Sequence, residues 1–329
     1  MNYYALVGDI GGANARFALV TKDSVELHHV QVLSCADYDN FDAAYQHYYE
    51  KLGLEPLPVA SISFACPVTE QINMTNNHWS FNIAAMTSQL GLTDFKVLND
   101  FTAMAYGTLA LQTTDKILVQ RGSAVQHSPR LVIGPGTGLG VASLVPVTAA
   151  DSSESTVDAK RWQAVATEGG HISFAPLDAL QIQIWQILQQ QYGRVSVERI
   201  LCGDGILALY LAICKIKRSQ VLLDSAADIT AAANNSSNKE AVLTLQSFCQ
   251  ILGAVTGDMI LAQGARGGVY LCGGILPRVQ EFLLKSDFCA ALANKGRLRD
   301  YNRSVPVWLC NSEYPGLLGA ATALKMKSV

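Results

Sequence analysis

Tyr3-Tyr4-Ala5-Leu6-Val7-Gly8-Asp9-Ile10-Gly11-Gly12-Ala13-Asn14-Ala15-Arg16-Phe17-Ala18-Leu19-Val20 places one carboxylate and a glycine turn between two apolar runs. Apolar run, glycine turn and apolar run predict a β-hairpin whose turn, free of bulky side chains, lets a ligand approach the backbone. The same plan returns in Leu131-Val132-Ile133-Gly134-Pro135-Gly136-Thr137-Gly138-Leu139-Gly140-Val141-Ala142-Ser143-Leu144-Val145. Two such turns could grip one nucleotide through its phosphates. Ordinary hairpins also use glycine wherever φ must be positive. The acidic Asp9 in one turn and Thr137 in the other favour the phosphate reading. Neither turn is a standard nucleotide loop: no Gly-Lys-Ser/Thr follows, and position 139, where a dinucleotide fingerprint needs glycine, is Leu.

Composition narrows the function. With 329 residues, half of them hydrophobic, and a mean hydropathy of +0.19, the chain can bury two substantial cores. A net charge of -3 offers no basic field for nucleic acid or an anionic membrane. The eight cysteines at 35, 66, 202, 214, 249, 272, 289 and 310 form no C-x-x-C, so neither a zinc site nor a disulfide framework is expected. They read as reduced thiols of a cytoplasmic protein. No basic segment leads into an apolar one at the N-terminus, so no export signal is expected. The apolar stretch Ala241 to Ala262 carries Gln246, Gln250 and Asp258 and reads as a buried helix rather than a membrane span.

Outward from the first hairpin, strands are expected at Val25 to Ser34, Val59 to Ala65 and Lys96 to Leu98. Helices are expected at Asp42 to Leu52, stopped by Gly53, and from Asn82 to about Gly91. Asn99-Asp100-Phe101-Thr102-Ala103 ends a strand on an amide and a carboxylate and then opens a helix, aiming both polar groups at a crevice. Taken alone, Asp100 reads as the cap of that helix. A boundary is placed near residue 110, and Gln120 to Arg130 reads as an exposed loop. The polar stretch Thr148 to Lys160 reads as a solvated connection.

Further on, a strand at Trp162 to Thr167 runs into Glu168-Gly169-Gly170-His171, whose glycines predict a loop presenting both end side chains. A helix at Asp178 to Tyr192 turns Leu180, Ile184, Ile187 and Leu188 inward and leaves its glutamines solvated. Ser196 to Gly205 reads as a short helix with Glu198 in its first turn. Residues 219 to 238 show no clear pattern. A long helix from Lys239 to about Gln263 carries Gly253 and Gly257, four apart, which would let another backbone approach. Gly267 to Pro277 reads as a strand ending in a third glycine turn, Val305 to Cys310 as the last strand, and Pro315 to Ala321 as the start of a helix of small residues.

These stretches, taken in order, resemble the bacterial glucokinases. These are ATP-dependent hexose kinases within the actin-like, ribonuclease-H-like ATPase superfamily. The resemblance is carried by Val7 to Arg16, Asn99 to Ala103, Gly134 to Gly140, Glu168 to His171, Ser196 to Gly203, Cys272 to Arg278 and Pro315 to Ala320. It implies an α/β, two-lobed fold with a cleft between a small domain, 1–110 plus about 313–329, and a large domain, 111–312.

The resemblance further implies that Gly8, Asp9, Ile10, Gly11, Gly12 and Ala13, together with Gly136, Thr137 and Gly138, hold the ATP phosphates. Asp9 would stand near Mg2+, and Gly273 and Gly274 would line the nucleoside. Asn99, Asp100, Glu168, His171 and Glu198 would bond glucose hydroxyls, and Asp100 would accept the 6-hydroxyl proton. An unperturbed Asp, with a pKa of about 3.9, would take that proton late, as the oxygen bonds to phosphorus. Family analogy suggests a homodimer.

Two departures qualify the resemblance. Ala13 stands where the family usually has Thr, which removes a hydroxyl from the phosphate turn. The cysteine-rich zinc loop of the related repressor-kinase group does not occur among these residues, and neither that group's DNA-binding extension nor a transcriptional role is expected. A sugar-binding sensor or scaffold of the same fold without turnover, and a kinase for another hexose, such as an N-acetylated hexosamine, are the competing readings.

Overall fold

The first hairpin forms as its sequence dictates. In the computed structural model, which describes residues 2–147 and 162–326, β1 (Ala5–Ile10) and β2 (Asn14–Val20) pair antiparallel, with Asp9 opposite Arg16. The chain divides into two units, one of Met1–Asp115, Leu144–Ala166 and Ser312–Val329, the other of Lys116–Ser143 and Thr167–Asn311. The connection expected at Thr148 to Lys160 lies outside the described residues.

In the first unit β3 (His28–Ser34) adds to β2, beginning three residues later than the apolar pattern from Val25 suggests. Helix α1 (Phe41–Leu52) starts where the Asn40 side chain accepts from the Ala43 N–H and stops at Gly53, whose φ of 63° is left-handed. All six residues of β4 (Val59–Phe64) are buried, and it runs parallel to β1. A small hairpin of β5 (Gln71–Asn73) and β6 (Ser80–Asn82) escapes sequence reading because each strand is three residues long. Asn82 caps α2 (Ile83–Gln89) by accepting from the Ala85 N–H, as expected.

Strand β7 (Asp94–Asn99) runs parallel to β4, and α3 (Asp100–Gly107) follows it directly. The sheet order is β3-β2-β1-β4-β7. Its three parallel strands end in one row, Ile10 beside Phe64 beside Asn99. Phe17, Phe41, Tyr45, Tyr48, Phe64, Trp79 and Phe81 fill one face. Such a tightly interlocked aromatic core anchors the strand ends rigidly.

The second unit opens with β8 (Lys116–Gln120), a correction to the sequence reading, which starts an exposed loop at Gln120. Gln120 is instead buried, and its Nε2 donates to the carbonyls of Asn302 (3.2 Å) and Val305 (2.8 Å). Strands β9 (Arg130–Pro135) and β10 (Leu139–Pro146) follow, joined by Gly136 to Gly138, and then β11 (Trp162–Thr167), whose limits match expectation.

Helix α4 (Ala179–Tyr192) is capped by Asp178. Its glutamines are not all solvated, however. Gln181 is buried, donating to Gln250 Oε1 at 3.0 Å and accepting from the Leu177 N–H. Ser196 to Leu201 forms no helix. A bridge from Ser173 to Ser196 pulls that segment into a turn, and α5 (Gly203–Lys217) starts after it.

The unpatterned region contains α6 (Ala226–Asn234), followed by α7 (Lys239–Gln263), whose bounds match the reading. Helix α7 is the one helix among the described residues long and apolar enough to cross a membrane, and 72% of its most apolar window is buried inside the structure. Strand β12 (Val269–Leu271), short helices α8 (Gln280–Lys285), α9 (Phe288–Ala293) and α10 (Arg299–Arg303), and β13 (Val307–Cys310) complete the unit. The six-stranded sheet that holds these strands runs β11-β10-β9-β12-β13-β8, with β12 parallel to both β9 and β13; nearly all of β11 and the end of β10 fall in the segment Leu144–Ala166 counted with the first unit.

The chain then returns to the first unit as α11 (Pro315–Ala323). Leu317, Ala320 and Ala321 bury against Ala5, Val7, Ala18, Val20 and Val59, covering the second face of the first sheet. Gly319 lies against the Ala103 backbone of α3, where a side chain would hold the helices apart. Lys96 Nζ donates to the Ala323 carbonyl at 2.6 Å, closing the end of α11.

Candidate active site

In the first unit the candidate groups gather at the carboxyl ends of the parallel strands, where an open α/β sheet offers its ligand crevice. Asp9 is the penultimate residue of β1. Its strand neighbours on the two sides are Arg16 and Ser63. The Ser63 hydroxyl donates to Asp9 Oδ1 at 2.9 Å, and Arg16 Nη1 stands 3.5 Å from Oδ2. Burial pushes the Asp9 carboxyl above its ordinary pKa, while the Arg16 charge and the Ser63 hydrogen bond pull it back.

The turn after Asp9 is braced from outside. Asn77 Nδ2 donates to the Gly11 carbonyl at 3.2 Å, and the Cys35 N–H donates to the Ala13 carbonyl at 2.9 Å. A Cβ at Gly12 would meet that of Asn76 at 2.7 Å. Gly8 and Ile10, assigned to the nucleotide with this turn, lie buried inside β1. A Cβ on Gly8 would meet Ile62 Cγ2 at 2.9 Å, and the Ile10 side chain belongs to the aromatic core. Gly11, Gly12 and Ala13 are the accessible part of the turn.

Asn99, not Asp100, caps α3. Asn99 Oδ1 accepts from the N–H groups of Phe101 (3.0 Å) and Thr102 (3.3 Å), and its Nδ2 donates to the Cys66 carbonyl. Asp100 is thereby freed from the cap role that its sequence context suggests and occupies the first turn, accepting from the Phe101 N–H at 2.9 Å. Burial, with the Asp9 charge adding to it, raises the Asp100 carboxyl to about 6 against the pull of the Phe101 N–H. Sequence alone leaves it near 3.9. A carboxylate titrating near 6 matches a general base working at neutral pH.

In the second unit the structure packs two glycine turns together. Gly136 N–H donates to the Gly138 carbonyl at 2.7 Å, and Gly203 N–H to the Gly136 carbonyl at 3.0 Å. Gly273, with φ of 86°, presses so closely on Pro135 that a Cβ there would sit 3.0 Å from the Pro135 carbonyl carbon. These turns follow the parallel strands β9 and β12, and the space beside Gly274 is open.

The same unit brings Glu168, His171 and Glu198 together. Glu198 Oε2 accepts from the Leu139 N–H at 2.9 Å, and Oε1 lies 3.8 Å from His171 Nε2. The His171 N–H donates to the Glu168 carbonyl and the Glu198 N–H to the Gly170 carbonyl, each at 2.9 Å. Gly170 lacks a side chain because Leu139 occupies that space. Glu168, His171 and Thr137 are exposed. No group of three or more His, Cys, Asp or Glu among the described residues could hold a metal by itself.

The family model described as Glucokinase matches residues 6–327. This chain belongs to the glucokinase family. It is 49% identical over 327 residues to the glucokinase of Hahella chejuensis, covering 99% of this chain and 98% of that one. Among solved structures, a glucokinase from an Antarctic psychrotroph superposes with a TM-score of 0.87 at 34% identity, covering 98% of this chain and 99% of the other. A glucokinase from Balamuthia mandrillaris in complex with glucose gives a TM-score of 0.75 at 18% identity, covering 99% and 94%. That last likeness concerns the fold. The two units thus carry the two-domain, actin-like ATPase architecture of glucokinases.

Beyond the residues chosen from the sequence, the glucokinase geometry draws in Ser63, Arg16 and the Leu139 N–H. Ser63 had a legible signal, a hydroxyl inside a wholly buried strand that must find a partner. Arg16 stands in the first motif, but its partner emerges only from the pairing of β1 with β2. The Leu139 N–H has no sequence signal, since every residue but proline carries one.

Proposed function

We propose that the chain transfers the terminal phosphoryl group of ATP to the 6-hydroxyl of glucose, giving glucose 6-phosphate and ADP in the cytoplasm. In this reading Asp100 accepts the 6-hydroxyl proton, the freed oxygen bonds to the terminal phosphorus, and the bond from that phosphorus to the bridging oxygen breaks. Asn99, Glu168, His171 and Glu198 bond the other hydroxyls. The backbone at Gly11 to Ala13 and at Gly136 to Gly138 holds the phosphates, Thr137 adds a hydroxyl, and Gly273 and Gly274 flank the nucleoside.

The observation that carries this reading is the Asp100 carboxyl, raised to about 6 in the first turn of α3, directly after the parallel strand β7. It can ionise at neutral pH and still be basic enough to take a proton as the hydroxyl acidifies. One partly buried carboxylate, Asp9, fits Mg2+, which sites of this kind hold through one or two carboxylates with phosphate oxygens and water. When bound there, Mg2+ would neutralise phosphate charge. Free thiols at all eight cysteines, seven of them buried, support a reducing compartment.

Coupled ADP-release assays with glucose, other hexoses and N-acetylhexosamines test the proposal. Glucose should give the highest kcat/KM, and Asp100→Asn should fold yet lose nearly all turnover. Glucose binding without ADP release would leave a sensor, and preference for another sugar would reassign the substrate.

A further inference from the structure

The Asp9 carboxylate is enclosed on three sides, and only two of those sides are polar. Ser63 Oγ donates to Oδ1 at 2.9 Å, and Arg16 Nη1 lies 3.5 Å from Oδ2. The third side is Gly316, in the first turn of α11. A Cβ built there would stand 2.5 Å from Oδ1 and 2.6 Å from Oδ2, distances that real Cβ atoms do not tolerate. The nearest atoms to that position all belong to this one carboxylate.

Backbone conformation does not explain a glycine at 316. Its φ is not among the positive ones in the chain, and within a helix alanine is favoured over glycine. Helix packing does not explain it either, because that part falls to Gly319 against Ala103. What remains is the volume taken by the Asp9 carboxylate.

We propose that Gly316 is a positioning residue for Asp9, its missing side chain leaving the room in which the carboxylate keeps the orientation set by Ser63 and Arg16. This rests on the proposed place of Asp9 beside ATP-bound Mg2+. A methyl group at 316 forces the carboxylate to rotate away from Ser63 or Arg16, since a displaced backbone would disturb the tight fit of α11 on β1 and β4. The carboxylate then loses the orientation that Ser63 and Arg16 give it.

The test compares wild type, Gly316→Ala, Asp9→Ala and the double variant. In Gly316→Ala, the Mg2+ concentration giving half-maximal rate and the KM for ATP should each rise about tenfold or more, as for residues that orient a metal carboxylate. The KM for glucose should stay within about twofold. Independently of turnover, Gly316→Ala should lower the Tm of the wild-type protein and should not lower that of Asp9→Ala, where the opposing carboxylate is gone. Unchanged Mg2+ and ATP dependence, or an equal Tm loss in both backgrounds, overturns the proposal. Full activity in Asp9→Ala would instead remove Asp9 from its proposed role, and the Tm comparison would still decide whether Gly316 makes room for its carboxylate. Should Gly316→Ala fold too poorly for kinetics, recovery of folding in the double variant supports the proposal and continued misfolding overturns it.

Discussion

The Glu198 carboxylate accepts a hydrogen bond from the Leu139 N–H at 2.9 Å, so a side chain assigned to the sugar is held by the residue that closes a turn assigned to the phosphates. The adjoining Gly138 leaves no room between them, for a Cβ there would lie 2.6 Å from Glu198 Oε2. Gly138→Ala should therefore disturb both substrates, raising the KM of glucose and of ATP by about tenfold each, the equivalent of roughly 1.4 kcal/mol. Glu198→Gln keeps an oxygen for Leu139 and should weaken glucose alone. Initial rates with each substrate varied in turn separate the two outcomes.

Asp100 gives a pH signature. With its carboxyl raised to about 6 by burial and by Asp9, kcat/KM for glucose should fall as pH drops below about 6, as protonation removes the base. A rate unchanged between pH 7.5 and 5 would contradict this.

The same raised pKa affects stability. The folded protein holds the Asp100 proton to higher pH than the unfolded chain does. This group's contribution is therefore full below about pH 4, is lost as pH rises through about 6, and leaves a constant cost above that. Asp100→Asn removes the ionisation and should stabilise the protein at pH 7.5 by roughly 2 to 3 kcal/mol while abolishing turnover. Urea denaturation at pH 7.5 and pH 5 should show the advantage shrinking at the lower pH.

Ala13 is exposed, and its carbonyl is already bonded to the Cys35 N–H. Threonine there can add a hydroxyl without disturbing the turn. Ala13→Thr should lower the KM for ATP about fivefold, as expected of one added hydrogen bond worth about 1 kcal/mol, with kcat unchanged. Steady-state kinetics with ATP varied at saturating glucose provide the check.

Helix α7 meets α9 through glycine, where a Cβ on Gly253 would stand 2.9 Å from the Phe288 carbonyl carbon. A backbone cannot yield as a side-chain tip can. Gly253→Ala should cost about 1 to 3 kcal/mol through overpacking, seen as a lower denaturation midpoint, without altering the KM of either substrate.

Elements governed by their own residues were legible before any contact was known. The Gly11 to Ala13 and Gly136 to Gly138 turns, α7 with its paired glycines, and the Asn82 cap all follow from apolar period, glycine placement and side-chain capping. Elements defined by a distant partner were not. Strand β8 is a five-residue edge strand that exists by pairing with β13, and Ser196 to Leu201 abandons a helix-like pattern for the bridge to Ser173.

The sequence by itself determined the family and marked the residues proposed to carry the chemistry, because glycine turns and carboxylates at strand ends are local patterns and their order along the chain resembles that of the glucokinase family. Tertiary structure alone decided how those residues behave. The affinity of Asp100 for its proton depends on the burial around it and on the charge of Asp9, and the orientation of Asp9 depends on Ser63, Arg16 and Gly316, which reach it from other strands and from the last helix. Burial and electrostatics act through space, so their strength depends on distances that no linear pattern of residues records.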